Sequence, residues 1–270
     1  PGGVSFPAAA ETSSAPVRMI MRKAKRSAHS RPSRFSVAVS TTPLNRFASF
    51  WEDAGGAAAA IGHRIGSKTG RPVGIVFMQT ATNPPLKEWI PAEHLDKAPS
   101  LMDDYKQLAA IRPGNEYYDA NVRRYLGVWK DYWANYVPEM MESKRVPDGV
   151  PWGVIPSLGS SIDTKAGNTY NVLVHSFGPG NFKGVLFLGS EAMVADDQGA
   201  HYGEQLAALA NSWKGHFGGD PAFVYTVPAK SLAPKVRHPK GIEGSSNCVE
   251  VPAWNDAAPV LEAVVAETVK

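Results

Sequence analysis

Cysteine is nearly absent from this 270-residue chain, and long apolar runs are missing as well. The single cysteine, Cys248, excludes an internal disulfide framework and leaves no cysteine spacing typical of a zinc site. No run approaches the roughly 20 apolar residues of a transmembrane helix, and the apolar patch at residues 8–10 is too short for a signal-peptide core. The sequence therefore predicts no transmembrane segment and no metal site.

Acidic residues are missing from one long stretch near the start. No Asp or Glu lies between Glu11 and Glu52, whereas the segment from Arg18 to Arg34 contains seven Lys or Arg. Such a segment can meet nucleic acid, acidic polysaccharide or an anionic membrane surface. It lacks the interleaved aromatic residues of a single-strand nucleic-acid binder, so we expect a solvated loop and no nucleic-acid partner.

A phosphate loop is also missing, although its letters occur between Gly62 and Thr69. A phosphate loop follows a strand and opens a helix, whereas here an alanine-rich helix comes first and a strand follows. We interpret Gly66 and Gly70 as a helix stop and a turn. The sequence predicts no nucleotide site and no other cofactor.

The elements that are present alternate between strand and helix. A chain of this length can bury one sizeable core, and residues 1–16 read as a Pro/Ser/Ala-rich arm before it. The predicted strands are Val17 to Met21, Phe35 to Val39, Val73 to Gln79 and Phe223 to Val227. The predicted helices are Asn45 to Ile65, Tyr202 to Gly215 or Gly218, and Ala257 to Val269.

A helical pattern covers residues 91–147 and includes an aromatic stripe. Its members recur at helical spacing, as Tyr125, Trp129, Tyr132, Trp133 and Tyr136. Such a stripe indicates helix packing, and the alternative is sugar stacking on aromatic faces. Both interpretations predict buried aromatic rings, and only contact with a ligand separates them.

One more apolar strand, at Lys183 to Phe187, ends on small residues followed by a carboxylate. Gly189, Ser190 and Glu191 come directly after it. In an open α/β sheet the carboxyl ends of the strands line the crevice where ligands bind. The sequence thus predicts either a site at this strand end or an ordinary turn.

Several blocks of the sequence resemble one family in their order and spacing. Tyr170-Asn171 and then Lys183-Gly-Val-Leu-Phe187 with Glu191 resemble the YNGMIxPL and KGVIWYQGESN blocks of the sialate O-acetylesterases, within the SGNH hydrolases. The run from Arg71 to Trp89 is similar to the family's VPVGLINSSWGGTPIEAW block. The resemblance implies a three-layer SGNH-hydrolase-like α/β domain over residues 17–270, with a mostly parallel central sheet and a helical insertion at about 91–147.

The sequence departs from this family at its catalytic blocks. No GQSN-type serine block precedes Val17, Thr82 and Asn83 replace paired glycines of the oxyanion hole, and Met193 replaces an asparagine. Loss of one oxyanion donor typically costs about a hundred- to a thousand-fold in rate. Either the chain is a fragment of a longer protein or its catalytic blocks are degenerate, and the changes inside the blocks favour degeneration.

Candidate site residues come partly from the resemblance and partly from this sequence alone. The resemblance implies Glu191 and His238 as catalytic residues, whereas Ser190 is our own candidate nucleophile, since the family block has none there, with His175 as an alternative base. The two lysines and the arginine near His238 favour a solvated loop histidine instead. The substrate-binding candidates are Gln79, Thr82, Asn83, Tyr170 and Asn171. We expect an impaired or incomplete sialate O-acetylesterase-like domain that binds carbohydrate or acts as a structural subunit. The alternative is an active carbohydrate O-acetylesterase that removes acetyl groups from sugars.

A third possibility concerns assembly. A chain without the first strand of its fold leaves an open sheet position, which invites strand addition from a protein partner or an oligomer. The other expected partner is an acetylated carbohydrate. The resemblance favours a periplasmic or secreted location.

Overall fold

The computed structural model describes residues 17–23, 56–79, 83–145, 158–159, 162–254 and 257–269. In these ranges strands and helices follow one another along the chain. They are β1 (Val17–Lys23), α1 (Gly56–Thr69), β2 (Val73–Gln79), α2 (Met102–Ala109), α3 (Glu116–Asp131), α4 (Val137–Ser143), β3 (Gly184–Phe187), α5 (Tyr202–His216), β4 (Ala222–Pro228), β5 (Ser246–Val251) and α6 (Ala257–Thr268).

Every strand pairing among the described residues is parallel. β1 pairs with β2 in a register that places Val17 opposite Val73 and Lys23 opposite Gln79. β4 lies between β3 and β5 in a second, three-stranded sheet. Parallel strands joined through helices are typical of α/β proteins, so the predicted fold class is confirmed.

Alternating residues of the second sheet build two cores, one on each face. Val185 and Phe187 of β3 and Phe223 of β4 belong to a large core with α5. Val224 of β4 and Val249 of β5 belong to a smaller core with α1 and α6. Successive side chains of a strand point to opposite faces, so the sheet is the middle of three layers.

The first helix ends later than the sequence predicts. α1 continues through Gly66 to Thr69, and Gly70 follows with φ +63°. The prediction of a stop at Gly66 is wrong, because a glycine inside a helix is tolerated at a modest cost. Gly70 is the turn, since glycine adopts positive φ easily. The predicted strand Phe35 to Val39 and the predicted helix residues 45–55 lie outside the described residues.

The region from residue 86 to residue 145 is helical, and its aromatic residues are only partly buried. Short 3-10 turns (Leu86–Trp89, Ala92–Lys97 and Pro99–Leu101) lead into α2 and α3. A π-helical turn, Tyr132–Tyr136, joins α3 to α4. Tyr132 is buried there, but Trp133 is 60% exposed. Burial of Trp133 was a wrong prediction, because neighbouring helix residues project about 100° apart and cannot share one face.

The C-terminal half contains one strand that was not predicted and two helices that were. β5 was not predicted, and it adds a strand beside β4. The helices predicted from Tyr202 and from Ala257 are confirmed as α5 and α6. No helix in the described part of the chain is long and apolar enough to span a membrane.

Candidate functional site

The carboxyl end of β3 is held by hydrogen bonds to β4 and α5. The amide of Gly189 donates to Thr226 Oγ1 at 2.7 Å, and Tyr202 Oη donates to the Thr226 carbonyl at 2.8 Å. A Cβ on residue 189 would collide with Tyr202 Oη. Burial raises the pKa of Tyr202, so the phenol stays protonated and keeps donating. This network fixes the backbone immediately before the candidate catalytic residues.

Ser190 and Glu191 follow in two different environments. Ser190 is extended (φ −120°, ψ 162°), and its carbonyl accepts from the amide of Met193 at 3.0 Å. Its Oγ is buried and has no hydrogen-bond partner among the described residues. Glu191 is exposed. A serine nucleophile needs a base about 2.6–3.2 Å from its hydroxyl, and no described side chain fills that role.

His238 lies in the loop between β4 and β5, beside the cysteine. Its Nδ1 is 3.8 Å from Cys248 Sγ, and both residues are exposed. Although Cys248 as a whole is exposed, partial burial of its thiol raises the pKa of that group, and a hydrogen bond with Tyr225 only partly opposes this. A thiol with a raised pKa is a poor nucleophile near neutral pH. The Cys248–His238 contact therefore does not form an activated thiolate pair.

Tyr170 lies at the other end of α5. Its ring is 5.6 Å from the ring of His216, the last residue of that helix, whereas Gly189 packs on Tyr202, the first residue. The candidates Tyr170 and Ser190 therefore belong to different contact groups, one at the last residue of α5 and one at the first residue of that helix.

A histidine pair stands beside Tyr170. The rings of His175 and His216 stack with centroids 5.3 Å apart at 23°. His216 Nε2 donates to the His175 carbonyl at 3.0 Å. Burial lowers the pKa of His216, and the nearby His175 ring lowers it further. The hydrogen bond to the His175 carbonyl and the charge of Glu93 raise the pKa and partly oppose the lowering. His175 thus makes its contacts at the last residue of α5, in the group that contains Tyr170.

His216 was not a sequence-predicted site residue. The sequence signals only a histidine in the last turn of a helix, and such a residue is common there because it complements the helix dipole. Its partner His175 is 41 residues away in the sequence. No local pattern could have connected the two.

The remaining predicted residues follow β2. Gln79 is the last residue of that strand, and Asn83 is exposed a few residues later. Thr82 lies outside the described residues, as does the side chain of Gln79. These residues stay predictions for substrate contact.

A cavity of about 440 Å³ lies between β2 and β3. Residues 73–76 and 78 of β2 line one wall, and residues 183–188 line the other. Ile61 and Ile65 of α1 lie among its lining residues, as do Trp89, Trp213 and Phe217 from the α5 side. We call this cavity the strand slot.

Comparison with known proteins gives one likeness, in fold. No protein-family model and no curated protein matches the sequence. A solved structure of a carbohydrate acetylesterase from Xanthomonas citri is similar, with 14% identity and a TM-score of 0.50. The match covers 94% of this chain and 47% of that one, so the chain spans about half the length of the enzyme that it matches. The chain thus has a carbohydrate-esterase-like α/β fold.

Proposed function

We propose that this chain is a sialate O-acetylesterase-like domain that does not hydrolyse esters by itself and serves in carbohydrate binding or as a structural subunit. The observation that carries the proposal is Ser190 Oγ, which is buried at the end of β3 without a hydrogen-bond partner in the described structure. A hydroxyl in that state has no base to take its proton and no open path to a substrate carbonyl.

The oxyanion side of the site supports the same proposal. The family's paired glycines correspond to Thr82 and Asn83, and its asparagine corresponds to Met193. Met193 packs against the apolar core and lines the strand slot, so it offers no donor to a developing oxyanion. Catalysis of acyl transfer depends on such donors more than on any other single factor.

Carbohydrate contact is assigned in this proposal to the ends of β2 and β3. Gln79, Thr82 and Asn83 follow one strand, and Ser190 and Glu191 follow the other. Polar groups outside the carboxyl ends of strands are the usual ligand contacts of open α/β sheets. Glu191 and Asn83 are exposed there, whereas Ser190, with its hydroxyl buried, would contribute its backbone. Tyr170 and Asn171 would contact only a ligand extending toward the other end of α5.

The second candidate is an active carbohydrate O-acetylesterase with Ser190 as the nucleophile. The free hydroxyl favours it, because Ser190 Oγ has no described partner that would compete with a base. In that case Glu191 and His238 would have to approach Ser190 when substrate binds. Hydrogen bonds of this kind often tighten only in the substrate complex.

The test is to incubate the 270-residue chain with an O-acetylated monosaccharide and to follow both sugar binding and acetate release by proton NMR. The proposal expects no acetate release above the background of heat-unfolded protein. Carbohydrate binding with no release would identify the binding role, and neither binding nor release would identify the structural one.

Ser190→Ala is the decisive variant for the alternative. Acetate release that disappears in Ser190→Ala, while Ser176→Ala keeps it, would replace the proposal with the active esterase. Release that survives in Ser190→Ala would remove Ser190 as the nucleophile and would also contradict the noncatalytic assignment.

A further inference from the structure

The segment of residues 175–180 lies against the end of α5, where it contacts the ring of His216. His216 Nε2 donates to the His175 carbonyl at 3.0 Å, and the two imidazole rings stack with centroids 5.3 Å apart. A Cβ on Gly178 would strike three atoms of the same ring, so the Gly178 backbone also lies directly against it. The His216 ring thus contacts the segment at two places. We call residues 175–180 the strap.

The strap is anchored on both sides and exposed in part between them. Before it, Leu173 and Val174 are fully buried in the large core. After it, the ring of Phe182 packs against that of Phe217 with centroids 4.8 Å apart. Three of the six strap residues are exposed, namely His175, Ser176 and Pro179. A partly exposed segment between buried anchors can open locally while the rest of the fold stays intact.

We infer that the strap is an acid-sensitive switch, which is closed on α5 while His216 is neutral and opens when His216 takes up a proton. A neutral imidazole suits the closed contacts, because it donates from Nε2 and stacks on His175 without a charge. A protonated imidazole in the same place would be a partly buried cation, and opening of the strap gives that cation to water. This inference goes beyond carbohydrate binding and does not depend on it.

The groups around His216 decide the sign of the effect. Burial has the largest influence and lowers the pKa of His216, and the His175 ring lowers it further. The hydrogen bond to the His175 carbonyl and the charge of Glu93, on the turn Ala92–Lys97, act in the opposite direction. Glu93 is paired with Arg112 at 3.3 Å, which balances part of its negative charge. The net lowering means that a proton on His216 favours the open strap.

Tyr170 is the neutral neighbour of both imidazoles. Its ring is 5.9 Å from that of His175 and 5.6 Å from that of His216. Burial raises the pKa of Tyr170, so its phenol stays uncharged at neutral and acidic pH. The side chain is a candidate sugar contact, yet Tyr170 is only 3% exposed with the strap closed. Opening of the strap would remove the His175 ring and uncover one side of Tyr170.

Proton linkage sets the pH range of the switch. With the strap open, His216 is in water and has the ordinary pKa of 6.5, whereas its pKa is lower with the strap closed. The open state therefore binds more protons between the two values, and opening becomes more favourable as the pH falls through that window. Each unit between the two pKa values changes the opening equilibrium about tenfold. We expect the strap to be closed at neutral pH and to open more often near about pH 5.

Hydrogen exchange of the folded 270-residue chain at about pH 7.5 and about pH 5 tests the inference. The Gly178 amide reports on the strap, because it donates to the same His175 carbonyl that His216 holds. After correction for the intrinsic effect of pH on exchange, its protection factor should fall at least about threefold at the lower pH. The amides of Phe223 and Val224 in β4 should keep theirs. Unchanged protection of Gly178, or an equal loss in β4, would overturn the inference.

Variants assign the effect to the histidine pair. His216→Gln keeps an N–H donor for the His175 carbonyl but takes up no proton, so the loss of Gly178 protection at low pH should disappear. His175→Gln removes the neighbouring imidazole and should make that loss smaller. The matched control is Gly215→Ala, which keeps both histidines and adds a Cβ that meets no atom within 4 Å, so it should behave like wild type. A wild-type pH response in His216→Gln would contradict the assignment.

If His216→Gln fails to fold, a histidine NMR titration of the wild-type chain still decides the question. The ring protons of His216 should titrate with a midpoint below 6.5, and Gly178 protection should fall over the same pH range. A midpoint at or above 6.5, or a fall in protection over a different range, would refute the switch. Acetate release by the chain would remove the noncatalytic assignment and leave these results unaffected.

Discussion

At the residue scale, position 189 requires glycine because a neighbouring side chain leaves no room for a Cβ. Its backbone conformation does not require glycine. Its hydrogens face Tyr202 Oη, which a Cβ would strike. The same hydroxyl donates to the Thr226 carbonyl and so ties α5 to β4. Any side chain at residue 189 must displace Tyr202 and break that bond.

Gly189→Ala should lower the free energy of unfolding by about 1–3 kcal/mol, the usual cost of overpacking a buried site. Urea denaturation measures this. The matched control is Gly215→Ala, because a Cβ on Gly215 in α5 meets no atom within 4 Å. That change should be neutral or stabilising, since alanine favours a helix over glycine. Equal effects of the two variants would contradict the role given to Tyr202.

His216 gives a prediction about pH. Burial lowers its pKa below the ordinary 6.5. The unfolded chain therefore binds more protons than the folded chain between the two pKa values, and stability falls as the pH drops through that window. His216→Gln should flatten the pH dependence of the unfolding free energy below about pH 6.5 relative to wild type, as measured by urea denaturation at several pH values.

The control for this prediction is Gly215→Ala, one residue before His216 in α5. It removes no titratable group and its Cβ meets no atom within 4 Å, so the shape of the pH profile should stay unchanged. A profile that flattens equally in both variants, or in neither, would contradict the assignment to His216.

At the element scale, α3 depends on one residue that joins it to the preceding turn. Asn115 Oδ1 accepts from the Tyr118 amide at 3.0 Å and caps the helix. Its Nδ2 donates to the carbonyls of Ala109 at 3.1 Å and Arg112 at 2.6 Å. One side chain thus satisfies both the start of α3 and the end of α2.

Asn115→Ala should therefore cost about 1–2 kcal/mol, at the upper end for an N-cap. Asn115→Asp keeps the cap acceptor and loses the two donors, so it should cost less. Chemical denaturation with circular dichroism gives both values. An aspartate variant that is as unstable as the alanine variant would show that the two lost donor bonds, and not the cap, account for the loss.

The elements were largely predictable, because their patterns are local. β2 was predicted at its observed bounds, since an apolar run follows Gly70 and Arg71. β5 was missed although Val249 and Val251 alternate with exposed Cys248 and Glu250, a period of two that could have revealed it. Short strands with polar outward residues resemble loops in composition.

The candidate site was predictable only in part, because its geometry depends on distant residues. The strand end at Gly189 and Ser190 was found, but its partner Thr226 is 37 residues away. Tyr170 was predicted from the resemblance, but its contact with His216 could not be, because the two residues are far apart in the sequence. The cavity between β2 and β3 was not predicted, because its walls come from elements that are distant in the sequence.

At the scale of the whole molecule, the second sheet carries a large core on the α5 face and a smaller core on the face of α1 and α6. Parallel sheets are usually covered on both faces in this way.

A fluorophosphonate probe can decide whether the carbohydrate-esterase-like fold carries a complete serine hydrolase site. The folded chain is incubated with the probe, and labelled residues are mapped by mass spectrometry. We expect no stoichiometric labelling of any serine, Ser190 included. Stoichiometric labelling of one serine, lost on heat unfolding, would show a working hydrolase site and identify its nucleophile.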